Sequence, residues 1–456
     1  LKPWLQESGS SGARLWPPGL TQPWHSIEAQ AMGCCISTSS SAGDASPASA
    51  ISSAALAQEE LRRAADALSP EERPPPAQHW NFLGGEELVP LLEHTTLVDA
   101  HFLVALADAG GVVPRWQELP EAAKIGPANA WQLRCGATCT RIDNDVIRTS
   151  AFLPILVLSY PWFDRTHPDR LGETLQRVAP VLRAMLSHTK ELAQLELGCL
   201  QHDRGLSSYA TVGVLWDFLS LPQKPHRDDS ETQRFKAGLK AIDRWYAHPH
   251  TTVLLVTTPV PNGDGKYENR RPYQNRGWCK FERSISMLTK HRECLLDLGK
   301  VPDGWVWGRF RDSEALRVLS ASRRPPLSPD AFAKQVRAGV QEGTVAFTAG
   351  AVDEEFVIEQ YRKGFIQAYN SWGDTYNSLG VEQGDKVNLT NLGWGSDDAF
   401  VLADAIKYAG MHCSPKNTVF LDLRGNNFDF RAQDELYRSM VWDAKCYKRY
   451  AVTVLC

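Results

Sequence analysis

The chain has 456 residues, of which 43% are apolar and 22% are charged. This length exceeds what one hydrophobic core can hold and predicts several domains, while the composition is that of ordinary globular proteins. The net charge of −4 and the absence of long Lys/Arg runs argue against a nucleic-acid binder, whose surface would carry a basic face. No apolar run approaches the length of a membrane-spanning helix, and ten scattered cysteines do not predict a disulfide framework.

The N-terminal part of the chain contains a pattern for lipid attachment. Residues 32–37 read Met-Gly-Cys-Cys-Ile-Ser, which fits N-myristoylation of Gly33 after removal of the methionine. One myristoyl chain holds a protein on a membrane only marginally, so palmitoylation of Cys34 and Cys35 would supply the second signal that stable anchoring needs. The alternative is an internal Met-Gly pair in a disordered leader that carries no lipid.

The lipidation motif divides the first part of the chain into segments. If translation starts at Met32, residues 1–31 are upstream sequence, and this is our interpretation. Residues 32–78 are rich in Ser, Ala and Pro and are expected to form a disordered tether. Residues 79–150 are predicted to form a small, mainly helical region. The lipid anchor would place the protein at the cytoplasmic face of a membrane, and without it we expect a cytoplasmic protein.

Residues 151–300 are predicted to form an α/β domain. Apolar strands at 155–158, 212–217 and 252–257 alternate with helices, an order that predicts a mainly parallel sheet with right-handed crossovers. Ligands of such sheets bind beyond the carboxyl ends of the strands. The polar residues expected there are Ser159, Asp164, Asp217, Ser220, Gln223 and, at the start of the next helix, Glu282.

Four blocks of this domain, in order, resemble the HET (heterokaryon incompatibility) domain. They are Leu158-Ser159-Tyr160-x-Trp162, Leu215-Trp216-Asp217-x-x-Ser220-Leu221-x-Gln223, Glu231-x-Gln233 ahead of Trp245-Tyr246, and Arg276-Gly277-Trp278-x-x-x-Glu282. The same blocks are similar, more distantly, to TIR domains. Both resemblances imply an open, mainly parallel flavodoxin-like sheet with flanking helices. Two positions depart from the HET pattern, with Ser220 in place of the usual Cys and Phe281 in place of the usual Gln.

The TIR resemblance implies a role for Glu282, because TIR-type domains that cleave NAD use the glutamate of the matching block. Its carboxylate would stabilise an oxocarbenium-like ribose as nicotinamide leaves. Trp162 or Trp278 would cover the sugar or base, and the other polar residues named above would bind the substrate. In the structural alternative, Glu282 at a helix start interacts with the helix dipole, Asp217 bonds loop amides and Trp278 lies in the core.

Other chemistries find no support in the sequence. Neither a phosphate-binding glycine motif nor the G-x-S-x-G and H-E-x-x-H motifs of hydrolases occur. Cys135 and Cys139 have no second pair at zinc spacing, and His248 and His250 flank a proline and are expected to be exposed loop residues. The sequence therefore predicts no metal site.

The C-terminal third combines a helical connector with repeats. Residues 301–385 are predicted to be the connector, including an amphipathic helix at 353–370, and residues 386–456 contain two strand-plus-helix units and the start of a third. The segment 421–428 resembles a leucine-rich repeat of the ribonuclease-inhibitor type, whose Asn bonds backbone groups after the strand. The first unit is degenerate, with Leu392 at the Asn position. So few repeats either dock on the preceding domain or belong to a longer chain; an unrelated αβ tail is the alternative.

Two functions follow from these observations. In the first, the chain is a membrane-tethered cytosolic signalling or protein-interaction protein, whose HET/TIR-like domain self-associates or binds partners and whose repeats add a recognition surface. In the second, it is an NAD glycohydrolase with NAD as its substrate and Glu282 as the essential residue. The whole arrangement is similar to multidomain proteins of algal protists, and that similarity implies no activity.

Overall fold

The computed structural model describes residues 86–125, 153–200, 211–248, 251–260, 267–288, 290, 294–302, 304–307, 313–348, 350–372, 386–413, 420–441 and 453–455. The expected upstream sequence, the tether and its lipidation positions Gly33, Cys34 and Cys35 lie outside these residues, as do Cys135 and Cys139. None of the helices in the described part of the chain has the length and apolar character needed to cross a lipid bilayer.

A five-stranded sheet forms the centre of the described chain. Its strands are β1 (Val98–Asp99), β2 (Ile155–Ser159), β3 (Gly213–Leu215), β4 (Thr251–Leu255) and β5 (Leu295–Asp297). They lie in the order β1-β3-β2-β4-β5, with β2 to β5 parallel and β1 antiparallel to β3. The predicted α/β class with a mainly parallel sheet is confirmed. Strand β1 was not expected, because two residues beside a helix give no strand pattern.

The helices surround the sheet and extend beyond it. They are α1 (Ala100–Asp108), α2 (Glu173–Leu200), α3 (Asp217–Ser220), α4 (Asp229–Lys240), α5 (Ile242–Ala247), α6 (Gly277–Ser286), α7 (Ser313–Leu319), α8 (Pro329–Gln341), α9 (Ala351–Trp372), α10 (Ser396–His412) and α11 (Phe430–Val441). Short 3-10 helices occur at 86–93, 116–118, 121–123, 273–275 and 298–300.

The side chains of β2 explain why helices cover both faces of the sheet. Successive residues of a strand point to opposite faces, and all of Ile155 to Leu158 are apolar. Ile155 and Val157 pack in a core formed with α4, α5, α6, α8 and α9. Leu156 and Leu158 pack in a second core formed with α1 and α2. The carboxyl end of β2 therefore lies between two layers of helices, where water has little access.

Two predicted elements differ in the structure. The strand predicted over 212–217 ends at Leu215, because the chain turns into α3, where the amides of Leu219 and Ser220 bond the carbonyl of Trp216. The single helix expected over 231–247 is divided into α4 and α5. Helix α4 begins at an Asp228 side chain that accepts the amide of Glu231, as N-terminal caps do.

A second, three-stranded sheet lies at the C-terminal end. Strands β6 (Lys386–Asn388), β7 (Phe420–Asp422) and β8 (Thr453–Leu455) are parallel and in chain order, with α10 after β6 and α11 after β7. The side chain of Asn426 bonds the backbone on both sides of the turn after β7. Its Nδ2 donates to the carbonyls of Leu389 and Leu423 over 2.8 and 2.7 Å. Its Oδ1 accepts the amides of Leu392 and Trp394 over 3.1 and 3.2 Å.

The C-terminal units dock on the preceding helices, as one of the two alternatives above expects. Trp394 is fully enclosed, and its Nε1 donates to the carbonyl of Arg323 over 2.8 Å. Tyr408 of α10 packs edge-on against Phe365 of α9, and Ser328 at the start of α8 donates to Asp404 of α10 over 2.5 Å. One continuous core therefore connects the central sheet, through α8 and α9, to the C-terminal units.

Candidate functional site

Ser159 and Glu282 meet at the carboxyl end of β2. The Oγ of Ser159 donates to Oε2 of Glu282 on α6 over 2.6 Å, and the hydroxyl of Tyr273 lies 2.6 Å from the same Oγ. Because Ser159 has one proton and donates it to the carboxylate, it accepts from the Tyr273 hydroxyl, which also lies within 3.3 Å of the carbonyl oxygen of Cys279. Ser159 is 0% exposed, and Glu282 and Tyr273 are each 3% exposed. The expected convergence of Ser159 and Glu282 is present, in the form of a buried contact.

The position of Glu282 in its helix corrects one expectation. Helix α6 begins at Gly277, so Glu282 lies in its second turn. The favourable effect of the helix dipole on an acidic side chain falls off within the first turn. The interpretation of Glu282 as a dipole-stabilising or capping residue is therefore wrong. Its carboxylate instead accepts the Ser159 hydroxyl from the end of β2.

Asp217 forms a second buried cluster next to the loop after β2. Its Oδ1 accepts the hydroxyl of Tyr160 over 2.5 Å and the amide of Phe218 over 2.7 Å, and its Oδ2 accepts Nε1 of Trp162 over 3.1 Å. Asp217 therefore bonds two side chains in addition to a loop amide. Burial raises the pKa of Tyr160 well above its ordinary value, and the neighbouring Asp217 raises it further. Tyr160 thus remains a proton donor to Asp217 at neutral pH.

The two tryptophans expected to cover a ligand are both core residues. Trp162 packs edge-on against Phe218 in the core on the α2 side of the sheet. Trp278 packs against Phe281 and against Phe356 of α9, in the other core. Trp278 therefore fits the structural alternative given above.

The remaining predicted site residues bond loops. The Oγ of Ser220 accepts the amide of Trp216 over 3.0 Å. Nε2 of Gln223 donates to the carbonyl of Leu221 over 2.8 Å and to that of Asp217 over 3.3 Å. Asp164 accepts Nε of Arg170 over 2.7 Å and the amide of Glu268 over 2.8 Å. These three side chains stabilise the backbone around the carboxyl end of the sheet.

Sequence reasoning missed the segment 267–276, which we call the capping segment. Its Arg276 is buried and donates to three backbone carbonyls, those of Trp162, of Asn269 at 3.0 Å and of Arg271 at 2.8 Å. The amide of Asn269 also donates to the carbonyl of Phe163 over 2.8 Å. Burial lowers the pKa of Arg276 to about 10, so the side chain remains a cation at neutral pH. The capping segment is thus fixed onto the loop that follows β2. Arg276 opens the fourth sequence block, which was a usable signal.

Gln117 connects the region before the sheet to the second and third blocks. Its Nε2 donates to the carbonyl of Gln223 over 2.5 Å and to the carboxylate of Glu231 over 3.0 Å. Its Oε1 accepts the amide of Gln223 over 3.1 Å. Gln223 and Glu231 therefore hold another part of the same chain. No motif around Gln117 signalled this contact.

The described residues contain no group of three or more His, Cys, Asp or Glu side chains able to hold a metal ion. The expectation that His248 is exposed is wrong, since its side chain is fully buried. Its carbonyl accepts Nζ of Lys290 over 2.5 Å, and Lys290 also donates to the carbonyl and hydroxyl of Thr251 over 2.6 Å. Burial lowers the pKa of Lys290 to about 7 and holds the pKa of His248 well below its ordinary value, with Lys290 contributing to the latter.

A serine hydroxyl held by a carboxylate has the composition of an activated nucleophile, but such a group acts only where substrate reaches it. Here the hydroxyl and both of its partners are enclosed. No family model, no curated protein and no solved structure matches the chain. The functional assignment therefore rests on the residues and on their geometry.

Proposed function

We propose that the chain is a signalling or protein-interaction protein, held at the cytoplasmic face of a membrane by acylation at Gly33, Cys34 and Cys35. One observation carries this proposal. The polar candidate side chains around the central sheet bond one another, neighbouring side chains or backbone groups, and they are at most 4% exposed. A catalytic group must come within hydrogen-bond distance of its substrate. Side chains arranged in this way stabilise a domain and leave binding to its outer surfaces.

The strand order supports a HET/TIR-like, flavodoxin-type domain as part of this proposal. Numbered within the parallel part alone, β3-β2-β4-β5 corresponds to the order 2-1-3-4, which begins the flavodoxin-like order. The backbone bonds of Asn426 support leucine-rich repeats, because the repeat Asn is expected to bond the turn after its strand. A repeat surface beside a HET/TIR-like domain suits recognition of a protein partner.

NAD cleavage is the second candidate, and the contact between Ser159 and Glu282 favours it. The resemblance to TIR domains implies these two residues at the site, and they are 2.6 Å apart at the carboxyl end of β2. For NAD to reach Glu282, the capping segment would have to leave the loop after β2, with loss of the hydrogen bonds of Arg276. This requirement places the enzyme second.

NAD consumption by the full chain tests the two candidates against each other. The assay compares the parent, Glu282→Gln and the exposed control Glu342→Gln, in dilute solution and clustered on vesicles. We expect no loss of NAD from any of them. Turnover by the parent and by Glu342→Gln, abolished in a Glu282→Gln protein with an unchanged circular dichroism spectrum, would overturn the proposal and establish the enzyme.

Membrane attachment is tested separately. A chain expressed from Met32 together with an N-myristoyltransferase should incorporate labelled myristate and bind vesicles, whereas Gly33→Ala should do neither. If the parent protein incorporates no myristate under these conditions, the membrane tether is removed from the proposal. The interaction function is then decided by the other tests.

A further inference from the structure

The capping segment is held from two sides. On one side, its Arg276 bonds the loop after β2, as described above. On the other side it meets residues 343–347, which connect α8 to α9 and which we call the α8–α9 turn. Arg276 and Ala346 form a parallel bridge. In this bridge the amide of Gly277 donates to the carbonyl of Ala346 over 3.0 Å, and the amide of Ala346 donates to the carbonyl of Asn275 over 3.1 Å. The capping segment therefore lies between the central sheet and the connector helices.

The ring of Phe347 completes this contact. It lies over Gly277, the first residue of α6, where a Cβ atom would collide with the ring. Phe347 also packs against the core that contains α6 and α9. Elsewhere in the turn, the guanidinium of Arg271 donates to the carbonyl of Gly343 over 3.3 Å. The α8–α9 turn thus contacts the capping segment through a side chain as well as through the backbone.

The capping segment covers the pair formed by Ser159 and Glu282. The hydroxyl of Tyr273, in the middle of the segment, lies 2.6 Å from the Oγ of Ser159. Cys279 of α6 lies beside the pair and is fully buried, and its Sγ donates to the carbonyl of Tyr160 over 3.5 Å. On the outer side of the segment, residues 268, 270, 272 and 274 are exposed. The segment is therefore a single layer of chain between the pair and solvent.

Such a layer should open more readily than the sheet beneath it. Folded proteins open locally, and the stretches with few buried contacts open at the lowest free energy. Three of the ten residues in the capping segment are buried, and these are Tyr267, Tyr273 and Arg276. The end of α8 and the start of the turn, residues 341–344, are exposed. The free energy of opening therefore depends on the contacts along the two borders of the segment.

We propose that the α8–α9 turn acts as a latch, which keeps the capping segment closed over Ser159 and Glu282 and exposes them when it is released. Ser328 at the start of α8 bonds Asp404 of α10, so the latch belongs to the same packed body as the C-terminal units. Access to the end of the central sheet is thereby controlled from the C-terminal half of the chain. This inference goes beyond the interaction function proposed above, and it supplies the opening that the NAD-cleaving candidate requires.

Hydrogen exchange and thiol labelling of the full chain test the latch. In the parent, exchange should be faster in residues 267–276 than in β2, because the segment opens while the sheet remains folded. Phe347→Ala should accelerate both this exchange and the labelling of Cys279 by about 10-fold or more, since it removes the ring that completes the contact. The control Phe430→Ala removes an 86%-exposed ring from α11 and should change neither rate. Peptide masses assign both signals to their residues.

Gly277 provides a second test, which does not depend on a loss of packing. Gly277→Ala places a Cβ atom against the ring of Phe347 and should also open the segment. In the Phe347→Ala background the same substitution meets no ring and should add little, whereas two independent losses of stability would add. Equal protection of residues 267–276 and of β2 in the parent would overturn the inference. Parent rates in Phe347→Ala, or additive effects of the two substitutions, would overturn it as well.

The NAD assay separates this inference from the proposed function. Turnover by Phe347→Ala that is abolished by a further Glu282→Gln substitution would overturn the interaction function and leave the latch standing. An opened segment without turnover would support the latch and the interaction function together. A segment that stays closed in Phe347→Ala would remove the latch alone.

Discussion

The two sheets of this chain treat polar side chains in opposite ways. In β2 every residue from Ile155 to Leu158 is apolar, and helices cover both faces. In β7 and the turn after it, Leu421 and Leu423 are buried while Arg424 is exposed and pairs with Asp422. Ser159, at the end of the covered strand, bonds Tyr273 and Glu282, which are enclosed with it, whereas Asp422 of β7, itself buried, pairs with a guanidinium that faces solvent. The polar network at the end of the central sheet is therefore closed to solvent, whereas that of the C-terminal sheet reaches solvent through Arg424.

The first prediction tests whether the two sheets share one hydrophobic core. Trp394→Ala should lower the free energy of unfolding by about 3–5 kcal/mol, because it removes a fully enclosed indole and its bond to the carbonyl of Arg323. Urea unfolding measures this loss, with Val352→Ala as a control at a half-exposed position. A loss as small as that of the control would mean that the C-terminal units do not share the core of the central domain.

The second prediction concerns how tightly the capping segment closes the carboxyl end of the central sheet. Arg276→Met should cost about 3 kcal/mol, because it leaves buried backbone carbonyls without donors. Hydrogen exchange should accelerate in residues 267–276, and Arg276→Lys should restore part of the protection. If exchange in Arg276→Met stays at the parent rate, the guanidinium does not hold this segment.

A buried carboxyl on the central side gives a pH dependence. Burial raises the pKa of Asp243 from its ordinary value of 3.8 to about 6. The folded chain therefore holds this proton more tightly than the unfolded chain does. The resulting contribution to the free energy of unfolding is complete below pH 3.8 and is lost as the pH rises through 6. The stability of the parent relative to Asp243→Asn should fall by about 3 kcal/mol over that interval. Urea midpoints across the range measure it, and a flat difference between the two proteins would contradict it.

The turn after β7 gives the smallest expected effect. Asn426→Ala should cost about 2 kcal/mol, because two backbone carbonyls and two amides lose their partner. The adjacent Asn427 is exposed, and Asn427→Ala should change the free energy of unfolding by less than about 0.5 kcal/mol. Equal effects of the two substitutions would show that the Asn426 side chain does not organise the repeat.

Prediction from sequence succeeded where a local pattern carries the information. The apolar run that became β2 is one example, because strand burial follows from the local pattern. Asn426 is another, because the repeat pattern places it at the turn, although three of its four backbone partners lie 32 to 37 residues away in the preceding unit. The meeting of Ser159 with Glu282 was also expected, from the rule that parallel strands end at one edge. Prediction from sequence failed for Tyr273 and for Gln117. Their hydrogen-bond partners are 114 and 106 residues away along the chain, and only the tertiary fold brings them together.

The short strand β1 sets the N-terminal limit of a fragment that should fold by itself. It forms the outer border of the central sheet by pairing Val98 and Asp99 with β3. A fragment starting at residue 151, where the strand pattern first appears, would leave the edge of β3 unpaired. Strands of other molecules could then pair with that edge. Such a fragment should aggregate during purification, whereas a fragment that begins at residue 86 should not. The folding unit of the central sheet therefore begins before the sequence blocks that mark it.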